Sequence, residues 1–480
     1  MPLLHPRSLL RLPVPMPLRA RILNPAFQMS TTAASTTTDD VVFESHLAGR
    51  IVKLNRPKKL NALNTSMLDK ILPRIIQWNQ SEIARFLLIK GEGSRALCAG
   101  GDVAAVIQGS TDEGIKFFGD EYFLDYVLAT YSKPVITFMN GITMGGGAGL
   151  CMHTPFRIAT ETTIFAMPET LIGFYPDVGA LFFLSRLPGQ LGTFLAMTGE
   201  RLTGFDAYFS GVATHLVLAS RLPELEARLC ELENTGNMLD APKYAAQINQ
   251  TINEFQAEVP SEFTPTYTGE TRVLIDSCFK FNTFEEIKAA LTSASETSEF
   301  ARKTLDTMSL RCPLSMKVAL VGLRKAAKWN IKQALQHDIY AASKFMTEPD
   351  FVTGVTYRVI EKKNGRADWQ TDMSESEIAE KFFPNSITTD ILTPYLDKFQ
   401  AAEYDAYPYQ MGLPSESEVR DYVLGDAKDS GPYLKPKSEI IDHFVQTYDK
   451  TGVEAHVAEI LDRKTKPVKG HEEESLVNWV

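Results

Sequence analysis

The pattern of apolar and polar positions sets out the first half of the chain. Gly49–Asn55 alternates apolar with polar residues, as a half-buried strand does. Arg85–Lys90 is apolar enough to be a strand buried on both faces. Val135–Phe138, a short apolar run after a proline, predicts another buried strand, and Val212–Val217 the last one of the core. Helical spacing predicts helices over Thr65–Asn79 and Thr111–Thr130, the second with Phe117, Phe118, Phe123, Leu124, Val127 and Leu128 as its core face. Shorter helices are expected over Val178–Leu187, Gln190–Thr198 and Thr203–Ser210. Strand and helix in alternation imply an α/β core with right-handed crossovers.

From about residue 220 helical patterns dominate, at Leu222–Asn234, Thr283–Leu291, Leu314–Lys328 and Ile331–Met346. Beyond 386 come two helix-start signals, Ile387–Leu392 and Pro414–Val419, the second resembling a capping box. Tyr404, Tyr407 and Tyr409 lie between them in a turn-rich run, and Ser438–Thr447 and Val453–Arg463 read as amphipathic helices. The expected organisation is a distinct leader over 1–38, an α/β core over 39–219, a helical region over 220–386 and an appended helical unit over 387–480.

Candidate chemistry concentrates in residues 134–179. After the Val135–Phe138 strand comes Gly145-Gly146-Gly147 with Gly149, then Leu150-Cys151-Met152. A strand, a glycine loop and a helix start leave backbone N–H groups free to face an anion or a polarised oxygen. Two carboxylates follow, Glu169 and Asp177, each after a proline and therefore held near a turn. Glycine donors with two loop-borne acids suit a site that stabilises an oxyanion and moves protons. By themselves the glycines also fit close helix–strand packing, and the acids fit turn or cap roles. A second glycine segment, Gly100-Gly101-Asp102, follows Cys98; the aspartate reads as the cap of the next helix and the cysteine as a packed small hydrophobe. His215 and His337 are isolated and read as structural.

The runs Asn140–Gly147, Met167–Thr170 and Phe174–Gly179 resemble, nearly verbatim, signatures of the crotonase (enoyl-CoA hydratase/isomerase) superfamily, and within it those of the 3-hydroxyisobutyryl-CoA hydrolases. The resemblance spans about 41–386, includes Ala367-Asp368-Trp369, and leaves 387–480 uncovered. It implies a β-β-α spiral core, with the C-terminal helices covering the active site and packing on neighbouring subunits. It implies that the N–H groups of Gly101 and Gly146 hold a thioester oxygen, and that Glu121, Glu169 and Asp177 meet the substrate. It also puts the basic turn Arg56–Leu63 beside the nucleotide of coenzyme A. Hydratases of the superfamily carry a second glutamate where this chain has Gly149, whereas the hydrolases carry an aspartate at the place of Asp177. The resemblance therefore implies hydrolysis of a 3-hydroxyacyl-CoA, with 3-hydroxyisobutyryl-CoA of valine breakdown favoured. Glu169 is then nucleophile or general base, and Asp177 orients hydroxyl or water. No cofactor is expected, since coenzyme A is part of the substrate, and no metal. Two other roles stay open: a hydratase or isomerase using Glu169 alone, and a structural subunit of the mitochondrial ribosome, into which hydrolase-like proteins have been recruited. Members of the superfamily are often trimers or paired trimers, so a homo-oligomer is a further expectation.

Composition narrows the picture. Apolar content of 44% and charged content of 22% are those of a soluble globular protein. No apolar run approaches the ~18 residues of a membrane helix. The five cysteines lack metal-type or regular spacing, which points to reduced thiols. Residues 1–38 hold four arginines, no Asp or Glu, and a Ser/Thr-rich run from Ser30 to Thr38, the description of a mitochondrial transit peptide. Taking those four positive charges from the chain's net −10 leaves −14, which argues against direct nucleic-acid binding. Neither a P-loop nor a Gly-x-Ser-x-Gly elbow is present.

Overall fold

The computed structural model describes residues 39–232, 241–387, 403–468 and 476–480. The chain divides into Met1–Asp39 and Asp40–Val480, and every element below belongs to the second unit. The expected transit segment and most of the helix start at Ile387–Leu392 lie outside the described residues.

Ten short strands form two sheets. They are β1 (Val41–His46), β2 (Gly49–Leu54), β3 (Phe86–Gly91), β4 (Ala96–Cys98), β5 (Val135–Met139), β6 (Ile142–Met144), β7 (Phe156–Ala159), β8 (Ile164–Ala166), β9 (Leu202–Thr203) and β10 (His215–Leu216). The larger sheet has the order β1-β2-β3-β5-β7-β10, the smaller β4-β6-β8-β9. From β3 to β8 successive strands fall alternately into the two sheets, so each turn of the chain there adds one strand to each. This is the β-β-α spiral. Apart from the antiparallel pairs β1/β2 and β8/β9, the strands run parallel. Parallel strands need both faces covered. Leu88, Ile136, Phe156 and Ile158 pack against Leu225, Leu229, Ile248 and Ile252 of the helices Leu222–Cys230 and Ala241–Asn253. On the opposite face Leu87, Ile89 and Val135 join the main core with the smaller sheet and the remaining helices.

Helices α1 (Thr65–Gln80), α2 (Val103–Gln108), α3 (Thr111–Ala129) and α4 (Gly146–Met152) lie between the strands. The expected bounds of α1 and α3 stand to within a residue, but α3 is not amphipathic. Every residue from Phe117 to Leu128 is buried, Asp120, Glu121 and Asp125 included. The cause is its neighbourhood: α1, α4 and the helix Ile331–Phe345 all pack on it. The strand expected over Val212–Val217 contracts to His215–Leu216. Asp102 stands at the start of α2 without bonding to its amides; its carboxylate instead accepts from Arg56 at 3.0 Å. All five cysteines are free and buried, and burial pushes the Cys98 thiol up to about 12. His215 bonds to Asn249, and His337 stacks on Trp329.

The C-terminal segment has its own small core. Val419, Ile440, Phe444, Val457, Ile460 and Leu461 bring together helices Glu416–Leu424, Lys437–Thr447 and Val453–Lys464. An antiparallel strand pair, Thr465–Pro467 with Val477–Trp479, completes a unit that helical patterning alone does not predict. Tyr208 Oη donates to Thr451 O at 2.9 Å, and Thr451 N donates to Gln256 Oε1 at 2.7 Å, tying this unit to the core. Among the described residues no helix is long and apolar enough to cross a membrane.

Candidate active site

Two glycine segments meet where the smaller sheet gives way to α4. Gly146 is the first residue of α4, so its N–H has no acceptor within the helix. On the other side, Leu63 N donates to Gly100 O and Asp102 N to Leu63 O, at 2.9 and 2.8 Å. Bonds to the residues flanking Gly101 direct its own N–H off the opposite edge, the side on which β4 has β6 as its neighbour. A Cβ on Gly100 would lie 3.8 Å from Gly146 N. The two segments predicted to grip one oxygen therefore lie side by side.

Glycine is required here for two separate reasons. Gly145 has φ +52°, a conformation side chains rarely adopt. At Gly146 the obstacle is space, because a Cβ would collide with Glu121 Oε1. Glu121 Oε2 in turn lies 3.8 Å from where a Cβ of Gly101 would be. Glu121 thus stands over both glycines, from the face of α3.

Glu169 opens a short 3-10 turn after Pro168, and a Cβ on Gly145 would lie 2.9 Å from its Oε1. Its Oε2 is buried without a hydrogen-bond partner. Asp177 sits in the turn before Val178 and Gly179, which have φ of +54° and +75°. A β-branched residue at positive φ is strained and holds only where neighbours fix it. Three contacts do so. Tyr122 Oη donates to Asp177 Oδ2 at 2.6 Å. Gly179 N donates to Asp338 Oδ2, also at 2.6 Å. Val178 O accepts from His153 Nε2 at 2.8 Å.

Five carboxyls surround the glycines: Glu121, Asp125, Glu169, Asp177 and Asp338, none more than 7% exposed. Burial, and then their neighbours' negative charge, pushes Glu121, Asp125, Glu169 and Asp338 well above the usual carboxylate range. Burial pushes Asp177 up to about 7, against the opposing pull of the Tyr122 hydroxyl. Such a group exchanges its proton near neutrality, which is what general acid–base work requires.

The residues singled out in the sequence (Gly101, Glu121, Gly146, Glu169 and Asp177) all converge. The basic turn joins the site only at its end, where Leu63 bonds beside Gly101; Arg56 is engaged by Asp102 and Ala62 O, and Lys58 and Lys59 are exposed. Sequence reasoning missed Tyr122, Asp125, His153 and Asp338. The first two lie one and four residues after Glu121, in a Glu-Tyr-x-x-Asp spacing that puts Glu121 and Asp125 on one helical face; Asp338 lies on a remote helix and leaves no local signal. A cavity of about 1430 Å³ lies elsewhere, with Arg157, Arg186, Asp206, His456 and Arg463 among its walls and none of the five acids.

This fold and site define a class. The chain belongs to the enoyl-CoA hydratase/isomerase family, whose model matches residues 49–383. The small ribosomal subunit protein mS47 of Neurospora crassa is 41% identical over 97% of this chain and 94% of its own length. The mitochondrial 3-hydroxyisobutyryl-CoA hydrolase of Xenopus laevis is 37% identical over 71% of this chain and 86% of its own length. Among solved structures, a carnitinyl-CoA dehydratase from Mycobacterium thermoresistibile matches with a TM-score of 0.64 at 30% identity, covering 74% of this chain and 98% of that one.

Proposed function

We propose that this protein cleaves the thioester of a 3-hydroxyacyl-CoA, with 3-hydroxyisobutyryl-CoA the favoured substrate. One observation carries the reading: Glu169 and Asp177 are buried together beside the paired glycines, while Gly149 supplies no acid. The N–H groups of Gly101 and Gly146 receive the charge that collects on the carbonyl oxygen as its carbon becomes tetrahedral. Glu169 attacks that carbon, giving a mixed anhydride that water opens, or takes a proton from a water that attacks in its place. The C–S bond breaks as Asp177 gives its proton to the departing sulfur, and the proton released when water adds restores it. Free-thiol release measures the reaction. Glu169→Gln is expected to slow it by about a thousandfold or more, a loss typical of an essential acid–base or nucleophilic group. Near-normal cleavage by that variant would falsify the assignment. Turnover in ¹⁸O-labelled water separates the two routes, since only the anhydride route carries label into the Glu169 carboxyl.

A second reading is favoured by the C-terminal unit. The relative named as a ribosomal subunit protein spans 97% of this chain, against 71% for the hydrolase. We infer that the chain also serves as a component of a small ribosomal subunit. The arginine-rich, acid-free first 38 residues and the hydrolase relative's mitochondrial name support a mitochondrial setting. Co-sedimentation with small subunits from a mitochondrial extract tests this; a chain confined to the top of the gradient argues against it.

A further inference from the structure

Position 149 is glycine for a reason that lies across the helix interface. A Cβ there would sit 2.8 Å from both Oδ1 and Oδ2 of Asp125, and 2.8 Å from Cβ of Val178. The volume that a side chain at 149 would enter is already filled by a carboxyl delivered from α3. Asp125 is 1% exposed, and neither of its oxygens has a hydrogen-bond partner within the protein. One turn earlier on the same helix face, Glu121 stands over Gly146 in the same manner. Asp120, by contrast, faces Lys116 at 2.5 Å and is satisfied. The contact of Asp125 with Gly149 therefore lies about 4.5 Å farther along α4 than the oxyanion donor, at 1.5 Å of rise per residue.

We infer that Asp125 is a substrate-contacting residue that recognises the hydroxyl carried two carbons beyond the thioester carbonyl. The inference rests on the hydrolase reading and extends it to acyl specificity. A buried carboxyl with two idle oxygens is unfavourable unless a ligand completes it. A hydroxyl both donates and accepts, so it satisfies the carboxyl whichever protonation state burial imposes. With the carbonyl oxygen fixed at Gly146, the hydroxyl of a short acyl chain reaches in the direction of Gly149, whereas an acyl group without it leaves Asp125 unpartnered. Sites built to bond a substrate hydroxyl discriminate strongly against analogues lacking one.

The test uses the full chain and two analogues with CH₂ in place of the thioester sulfur, which keep the carbonyl and cannot be hydrolysed: those of 3-hydroxyisobutyryl-CoA and isobutyryl-CoA. Calorimetry on the wild type is expected to give a preference of about tenfold or more for the hydroxylated analogue. Asp125→Ala is expected to bring the two within about twofold, while Asp125→Asn, still able to donate and accept, keeps most of the preference. Asp125→Leu, apolar and similar in shape, carries the test if the alanine variant does not fold. A preference that survives in the alanine or leucine variant overturns the assignment, as does a wild type that binds both analogues equally or neither. Absence of thiol release with the preference intact would count against the hydrolase reading and leave Asp125 standing.

Discussion

Two regions of this molecule bury charge, and they do so in opposite ways. Around the glycines, none of the five carboxyls forms an ion pair with a described Lys or Arg, and the hydrogen bonds to Glu169 and Asp338 do not offset the burial that raises them, while Glu121 and Asp125 have nothing to lower them at all. In the C-terminal unit, Arg463 is 5% exposed yet meets Glu416 at 2.8 Å and Glu459 at 3.1 Å, with Lys464 adding a contact to Glu416 at 3.2 Å. Burial pushes Glu416 up, but Arg463 and Lys464 outweigh it and hold the group below its usual value. Lys435, 1% exposed, is satisfied by the carbonyls of Gly431 and Tyr433 at 3.0 and 3.3 Å. Compensated charge holds structure together; uncompensated charge in a concave, apolar setting is what a reaction uses.

The contrast predicts opposite responses to pH. Asp177 goes from 3.8 in the unfolded chain to about 7 in the fold, so between these values the native state keeps a proton that the unfolded state has released. Its contribution is fully present below pH ~4 and is lost as pH rises to ~7, on the order of 4 kcal/mol for a shift of this size. Glu416 has the reverse sign, since its lowered pKa stabilises above the unfolded value and loses that contribution as pH falls. Melting temperatures of wild type, Asp177→Asn and Glu416→Gln across pH 4 to 8 check this. The asparagine variant is expected to gain on the wild type as pH rises, the glutamine variant to lose on it. A wild-type-minus-Asp177→Asn difference that stays flat between pH 4 and 7 would remove the basis for calling that acid uncompensated.

The same division explains what could be read from the sequence. Gly146, Glu169 and Asp177 were legible because the chemistry is local: a glycine run before a helix, and acids fixed by prolines in turns. Glu121 was legible only through resemblance to a family, since a lone glutamate in an apolar helix carries no signal of its own. Asp338 was not legible at all, and Asp125 only as a second acid four residues after Glu121. Their roles come from what packs against them, Gly149 for one and the Tyr175–Gly179 turn for the other, and packing between remote elements has no trace in spacing. Amphipathic reading failed on α3 for the same reason, because a helix enclosed on every side has no polar face to reveal. Asp102 departs from its expected capping role because Arg56, 46 residues earlier, takes its carboxylate.

Breaking the compensated side is expected to damage stability and spare catalysis. Arg463→Ala leaves Glu459 without its ion-pair partner and Glu416 with Lys464 alone, a loss of about 3 kcal/mol for a buried pair cut on one side. Limited proteolysis is expected to release the C-terminal unit first, with thiol release unchanged in the uncleaved chain. Replacing both Arg463 and Glu416 with Met is expected to restore much of the loss, because well-packed apolar residues substitute for buried pairs. If the double variant is as sensitive as the single one, the pair does more than neutralise itself.

The smallest effect is expected where the two regions touch. Tyr407, from the C-terminal segment, lies 3.1 Å from His153 Nδ1, and His153 Nε2 lies 2.8 Å from Val178 O beside Asp177. A carbonyl can only accept, so Nε2 carries the proton and Nδ1 accepts from the tyrosine. Burial keeps this ring neutral, with its pKa lowered to about 4, which preserves that arrangement throughout the neutral range. The C-terminal segment thereby braces the strained turn that presents an uncompensated acid. Tyr407→Phe removes one neutral hydrogen bond, about 1 kcal/mol, and is expected to lower thiol release by roughly fivefold if the whole loss reaches the transition state. Because the phenyl ring keeps its edge contact with Phe182, at 5.4 Å between centroids, packing is retained and the hydroxyl alone is tested. Unchanged turnover together with an unchanged melting temperature would mean that the two regions are adjacent without being coupled.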